Sequence, residues 1–552
     1  MQRLFPEHHL RRHLELSPLW TLTTLDVGGL DHPVQTVVPC VWESIPGLRA
    51  YKGRAAYENT FEAGGTLRFV FGGVSFRAQV YLDGEQIAGH YGAFTAFDAV
   101  AENVPHGVHT LRIVADNRYG EDSALHVEND YYSYGGVNRP VDVQQLGDAY
   151  LTDLSVRTRC EAGQWIADVQ VTAHSLCDED REISVFVSAG SAEHLFKAQH
   201  LPARGRLVLS ASLPAQNVRP WSPESPQLCM ARAVLLENGR PTDDLCDRFG
   251  YREVKVEGNR ILLNGKPLVI KGFNRHETYA DFGSAVPLQA MVHDIQLMKD
   301  MNANAVRTCH YPNDPRFLDL CDEMGMLVWE EVHARGLVEQ QMLHPLFRPQ
   351  TEQCAREMVA QHGNHPSIFI WGCLNECEDT TPAGAEIFRW NYDLLRRLDP
   401  SRPVTAALLD RRGSRVLADS DVDSLNLYPL WYHPTDPAVH VEKMTRWAAE
   451  NGGAGKPVLI SEIGAGGIYG NHDPAMPKWS EERQAEIVRR QIDAVLSHPA
   501  CSGIFLWQFA DTRVDESWAE KRPGCLNNKG VVDSYRRPKL AYAAVKQAFA
   551  RY

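Results

Sequence analysis

Hydrophobic positions along the chain follow two regimes, and the change falls near Gly258. Before it, apolar residues alternate with polar ones in short runs, such as 66–71, 78–82 and 109–114, divided by Gly, Asp and Asn turns that include Asp83-Gly84. No helix-period segment interrupts residues 1–143, which predicts an all-β sandwich of the jelly-roll type. Strands resume over 144–252, at 150–156, 165–171 and 183–187. About 110 residues of this pattern is the size of one immunoglobulin-like β-sandwich. Nothing chemical stands out in it, and a spacer role is expected.

From 253 to 552 the pattern becomes strand, then helix, repeated. Short apolar runs at 269–273, 305–308, 327–330, 368–371, 404–407, 424–427, 458–461 and 504–507 read as buried parallel strands. Helical periodicity lies between most of them, at 287–301, 315–325, 383–398 and 481–497, and is weak over 410–421. Alternation of this kind predicts a (β/α)8 TIM barrel as the C-terminal domain.

Such barrels carry their chemistry at the C-terminal strand ends. The run 366–376 ends abruptly in Asn375-Glu376, and 457–462 ends in Glu462. Other tips offer Asn274-Arg275-His276-Glu277, Arg307 with His310-Tyr311-Pro312, Glu330-Glu331, Asn426-Leu427-Tyr428 and Trp507. Amides and carboxylates suit sugar hydroxyls, and an aromatic face suits a sugar ring. Two tip carboxylates point to glycoside hydrolysis, with Glu376 and Glu462 as the working pair. Glu277 and Arg307 read as mutual structural support. Glu331-Val332-His333, His276 and His310 lack the spacing of a known metal site, so no metal and no cofactor is expected. The Tyr- and Gly-rich stretch 129–140 reads equally as a ligand loop or an interdomain seam.

A net charge of -14 argues against nucleic acid and anionic membranes as partners, and no segment approaches the ~18 apolar residues of a membrane span. Twelve cysteines without CxxC pairing, and an N-terminus without an apolar leader core, predict reduced thiols and a cytoplasmic protein.

Several of these stretches together resemble glycoside hydrolase family 2, and within it the β-glucuronidases most closely. The resemblance runs nearly the whole length and rests on 304–312 (NAVRTCHYP), 364–367 (NHPS), Trp371 through Asn375-Glu376, and 461–464 (SEIG). Within 524–530, Asn527-x-Lys529 is similar to the Asn-x-Lys motif with which β-glucuronidases hold the C6 carboxylate. The resemblance implies a retaining exo-β-glucuronidase with Glu462 as nucleophile, Glu376 as acid and base, and Asn375 on the 2-hydroxyl. It also assigns Asp130, His310, Tyr428, Trp507, Asn527 and Lys529 to substrate binding.

Departures bear on substrate choice. Cys377 stands where proline is usual, 331–335 differs from the usual stretch, and 336–349 is short. Pro523 occupies the place of an arginine, with Arg522 before it. A β-galacturonidase or β-galactosidase therefore remains the alternative. A catalytically silent carbohydrate-binding protein is a third reading, disfavoured because both carboxylates are present. Homo-oligomerisation is left open.

Overall fold

The computed structural model describes residues 3–552. Two long strands, Arg54–Phe71 and Phe97–Asp116, pair antiparallel with Tyr57 opposite Ile113 and dominate the first sheet. Alternate residues turn inward, so Trp20, Leu22, Tyr57, Phe69, Phe71 and Ile113 form one apolar core. A second sandwich follows. Its three-stranded sheet (Ala149–Glu161, Gln164–Ser175, Arg206–Ala215) and four-stranded sheet (Ala192–Leu201, Arg181–Ala189, Cys229–Glu237, Arg240–Phe249) share a core that includes Val156, Val169, Val185 and Leu235.

The remainder is a closed barrel of eight parallel strands, as the apolar runs predict. They are β1 (Ile270–Asn274), β2 (Ala305–Thr308), β3 (Leu327–Glu331), β4 (Ile368–Asn375), β5 (Val404–Leu409), β6 (Asp423–Asn426), β7 (Val458–Ile463) and β8 (Cys501–Leu506). The helices are α1 (Leu288–Asp300), α2 (Pro315–Met324), α3 (Glu339–Met342), α4 (Phe347–His362), α5 (Pro382–Leu398), α6 (Pro437–Ala448), α7 (Glu481–Leu496) and α8 (Leu540–Phe549). Their starts are written locally. Asp314, Thr381, Asp436 and Ser480 each cap a backbone N–H, and proline follows in the first three. Between β5 and β6 the chain crosses without a helix, consistent with the weak periodicity there.

The sandwiches are fastened to the barrel through polar anchors. Asn364 bonds Leu154 and Val156 of the second sandwich through their backbone, and Arg252 bonds the carbonyls of Pro366 and Ile368. From the first sandwich, Arg139 reaches Glu277 at 2.8 Å and Phe94 stacks on Tyr311 at 3.8 Å. Tyr131 meets His333 at 3.0 Å, and the Asn129 N–H donates to Asp515. The 129–140 stretch is therefore a seam that also reaches the barrel mouth. Glu277 and Arg307 are not partners of one another: Glu277 takes Arg139 and the N–H of Asp314, while Arg307 turns inward. All twelve cysteines are free. Among the described residues no helix is long and apolar enough to cross a membrane.

Candidate active site

Arg307, fully buried at the end of β2, organises the base of the mouth. Its guanidinium donates to Glu331 (2.9 and 2.7 Å), Glu462 Oε1 (3.0 Å), Asn274 Oδ1 (2.9 Å) and Asn375 Oδ1 (2.8 Å). One cation thus offsets two carboxylates in a dry setting. Because Asn375 accepts through Oδ1, its Nδ2 is left buried with no protein partner. Tyr428 donates its hydroxyl to Glu462 Oε2 at 2.7 Å, so both oxygens of that carboxylate are fixed.

Glu376 directly follows β4 with φ of 53°, in the left-handed region that a side chain seldom adopts. Such backbone costs on the order of 1–3 kcal/mol and persists where surroundings enforce it. Here the Glu376 N–H is held by the Ala407 carbonyl at 2.9 Å. Its carboxylate accepts from Asn426 Nδ2 (3.0 Å) and Arg335 Nη2 (3.3 Å). Asn426 is itself oriented by the Ser461 hydroxyl at 2.7 Å.

Burial and the neighbouring Glu376 carboxylate push Glu462 up to about 7, against the opposing pull of Arg307 and the Tyr428 hydroxyl. A carboxyl raised this far keeps a share of its proton at neutral pH.

His310 and Trp507 form one wall. Their rings stack at 5.2 Å, and His276 meets the Trp507 ring edge-on at 5.5 Å. His310 places Nδ1 2.9 Å from Glu331, and burial followed by the Arg307 charge keeps its ring neutral. Gly464 is required here, because a Cβ on it would lie 2.0 Å from the Trp507 carbonyl oxygen. His276, Cys309 and His310 come within ligand reach of one another, but burial raises the Cys309 thiol well above its usual range, which disfavours metal ligation.

A second wall is cationic. Asp130 accepts from Arg522 Nε at 2.8 Å and from Asn527 Nδ2 at 3.0 Å. Lys529 is buried, with its ammonium 5.4 Å and 5.8 Å from the Tyr432 and Tyr428 ring centres. Among the described residues no carboxylate pairs with it. Burial alone would raise the Tyr432 phenol; Lys529 and then Arg522 outweigh that and lower it.

The nine residues expected at the site converge on this mouth. Glu376, Glu462, Asn375, Tyr428 and His310 share the Arg307 network. Asp130 and Asn527 share the Arg522 cluster, and Lys529 lies between the two groups. The Asn527 donor is engaged by Asp130, and its buried Oδ1 has no protein partner. Sequence reasoning missed Arg335 and Tyr432, offered Asn426 as a strand-tip candidate without a role, and read Arg307 as mere support. The altered 331–335 stretch was the available signal for Arg335. Arg522, displaced by one position in the chain, still reaches Asp130.

The family model "Glycosyl hydrolases family 2, TIM barrel domain" matches residues 254–552, and "Glycosyl hydrolases family 2" matches 149–252. A solved family-2 β-galacturonidase from Eisenbergiella tayi, bound to galacturonate, superposes with a TM-score of 0.97 at 45% identity, covering 100% of this chain and 99% of that one. A β-D-glucuronidase structure from Dictyoglomus thermophilum gives a TM-score of 0.86 at 26% identity, covering 99% and 98%. A β-glucuronidase from Paenibacillus borealis is 28% identical over 98% of this chain and 97% of its own length.

Proposed function

The chain belongs to glycosyl hydrolase family 2 and is a glycoside hydrolase, and we propose that it releases terminal β-D-galacturonic acid from glycosides with retention of configuration. The observation that carries this reading is the buried, carboxylate-free Lys529 at the wall of a mouth that already holds Glu376 and Glu462. Two acidic side chains repel a uronate unless a cation is fixed beside its carboxylate.

In the reaction, Glu462 attacks the anomeric carbon as the glycosidic bond breaks, and Glu376 gives its proton to the departing oxygen. A glycosyl ester on Glu462 results. Glu376 then takes a proton from water, the water oxygen bonds to the anomeric carbon, and the ester opens to return Glu462 as a carboxylate. Asn375 Nδ2, free of protein partners, is assigned to the 2-hydroxyl. Trp507 and His310 supply the wall against the ring, and Asp130 accepts from a remaining hydroxyl while Arg522 and Asn527 hold it.

The epimer is chosen on two grounds. The galacturonate-bound relative is far more similar in sequence than the glucuronidases. Arg335, whose guanidinium faces Glu376 with Nε unpartnered, sits in the very stretch that departs from the glucuronidase pattern. This reverses the order the sequence motifs gave, where the glucuronide came first. Glucuronide hydrolysis is the second reading, supported by curated relatives at 26–28% identity. The twelve free cysteines favour a reducing, cytoplasmic setting.

The test is kcat/KM on p-nitrophenyl β-D-galacturonide, glucuronide and galactoside. The galacturonide should be fastest and the galactoside slowest. A faster glucuronide would select the second reading, and a faster galactoside would reject both.

A further inference from the structure

The helix-free crossing between β5 and β6 begins with Asp410, and two histidines converge on it. His440, in the first turn of α6, places Nε2 2.7 Å from Asp410 Oδ2. His433, which ends the turn after β6, places Nε2 3.5 Å from the same oxygen. The two imidazole rings are 4.6 Å apart, and one donor atom from each of the three residues lies within 4.8 Å of the others. His440 is buried and forms the base, while Asp410 and His433 keep a solvent-facing side. Both ring nitrogens of His433 are shielded from water and lack a hydrogen-bond partner. A ring in that condition normally finds one.

We propose that Asp410, His433 and His440 form a divalent transition-metal site, with Zn2+ as its natural occupant by ligand class. Two imidazoles and one carboxylate are a three-protein-ligand zinc set, with water free to complete the tetrahedron. Imidazole-rich sites do not suit Ca2+ or Mg2+, which prefer oxygen ligands. Ligand bonds of ~2.0–2.2 Å put tetrahedral donors roughly 3.3–3.6 Å apart. His433 and Asp410 already stand at that separation, the Asp410–His440 pair must open as it releases its shared proton, and the two imidazole donors start within 4.8 Å of each other.

The site would tie the turn 428–433 to two other elements. That turn is tight: Leu430 has φ of 64°, its N–H meets the His433 carbonyl at 2.8 Å, and the Tyr432 N–H meets the Tyr428 carbonyl. It carries Tyr428, bonded to Glu462, and Tyr432, beside Lys529. A bound ion therefore acts as a clamp on one wall of the mouth. The value of that clamp to catalysis rests on the function proposed above; metal binding itself does not.

The test uses chelator-stripped full-length protein, Zn2+ calorimetry and the Co2+ spectrum. One equivalent should bind, with tetrahedral Co2+ bands. His433→Ala and His440→Gln should each weaken binding by more than the ~10–100-fold typical of losing a mere supporting residue. His433→Cys should keep one Co2+ and add a thiolate-to-metal charge-transfer band, which guards against a variant that simply misfolds. His200→Ala, on the exposed surface of the second sandwich, should change nothing. Zn2+ should also slow hydrogen exchange over 427–433. Absence of stoichiometric binding, or equal binding by both ligand variants, would overturn the site. Binding without slowed exchange would overturn the clamp.

Discussion

Replacing Glu462 by Gln should abolish turnover and yet stabilise the protein, and only above the pH at which a free carboxyl ionises. Burial and Glu376 raise the Glu462 pKa from 4.5 to about 7 in the folded chain. The folded state then holds the proton more tightly than the unfolded state. Its contribution is fully present below the unfolded value of 4.5 and is lost as pH rises through about 7. The difference, at ~1.4 kcal/mol per pH unit, is about 3 kcal/mol at pH 8. Gln is isosteric with the protonated acid and carries no charge to desolvate, so the variant avoids that loss. Arg307 keeps Glu331, Asn274 and Asn375 as partners and is not orphaned. For a barrel of this size the gain converts to roughly 2 °C per kcal/mol, or about 6 °C in the barrel transition at pH 8. Calorimetric melts of both proteins at pH 8 and pH 4.5 provide the assay. The melting curves should separate at pH 8 and merge at pH 4.5. A variant less stable than wild type at pH 8 would mean that Glu462 is net stabilised by Arg307 and Tyr428, and the electrostatic reasoning would fall.

Glu376→Gln should reduce kcat/KM by about 100- to 10,000-fold on poor leaving groups, the usual worth of general acid catalysis, and far less on 2,4-dinitrophenyl glycosides. A uniform loss across leaving groups would remove it as the proton donor. Proton NMR of the first-formed sugar should show the β-anomer, and an initial α-anomer would overturn retention.

What the sequence made legible was whatever physics writes locally. Buried parallel strands read as apolar runs, and β4 and β7 show it directly: each is buried throughout, Glu376 directly follows β4, and β7 runs through Glu462. Asn-x-Lys was readable because its two residues stand two positions apart in the chain. Arg335 and Tyr432 were not, since nothing local distinguishes a loop arginine that meets Glu376 from one that meets solvent. Arg522 shows the same limit from the other side. Shifted by one position it looked displaced, yet its long side chain absorbs the shift and still reaches Asp130 across 392 residues of sequence. The 129–140 stretch was ambiguous because one segment does two things: Tyr131 and Asn129 join the seam while Asp130 is carried to the barrel mouth.

The most direct measurement of the central claim compares wild type with Lys529→Ala on two sugars side by side. Truncating one partner of a buried charge pair costs about 2–5 kcal/mol, which corresponds to a fall in kcat/KM of roughly 30-fold to several thousand-fold on p-nitrophenyl β-D-galacturonide. The slow hydrolysis of the corresponding galactoside should be nearly unchanged, because a neutral sugar presents no carboxylate to Lys529. Equal losses on the two sugars would make Lys529 a structural residue, and the uronidase account would give way to a neutral-sugar hydrolase.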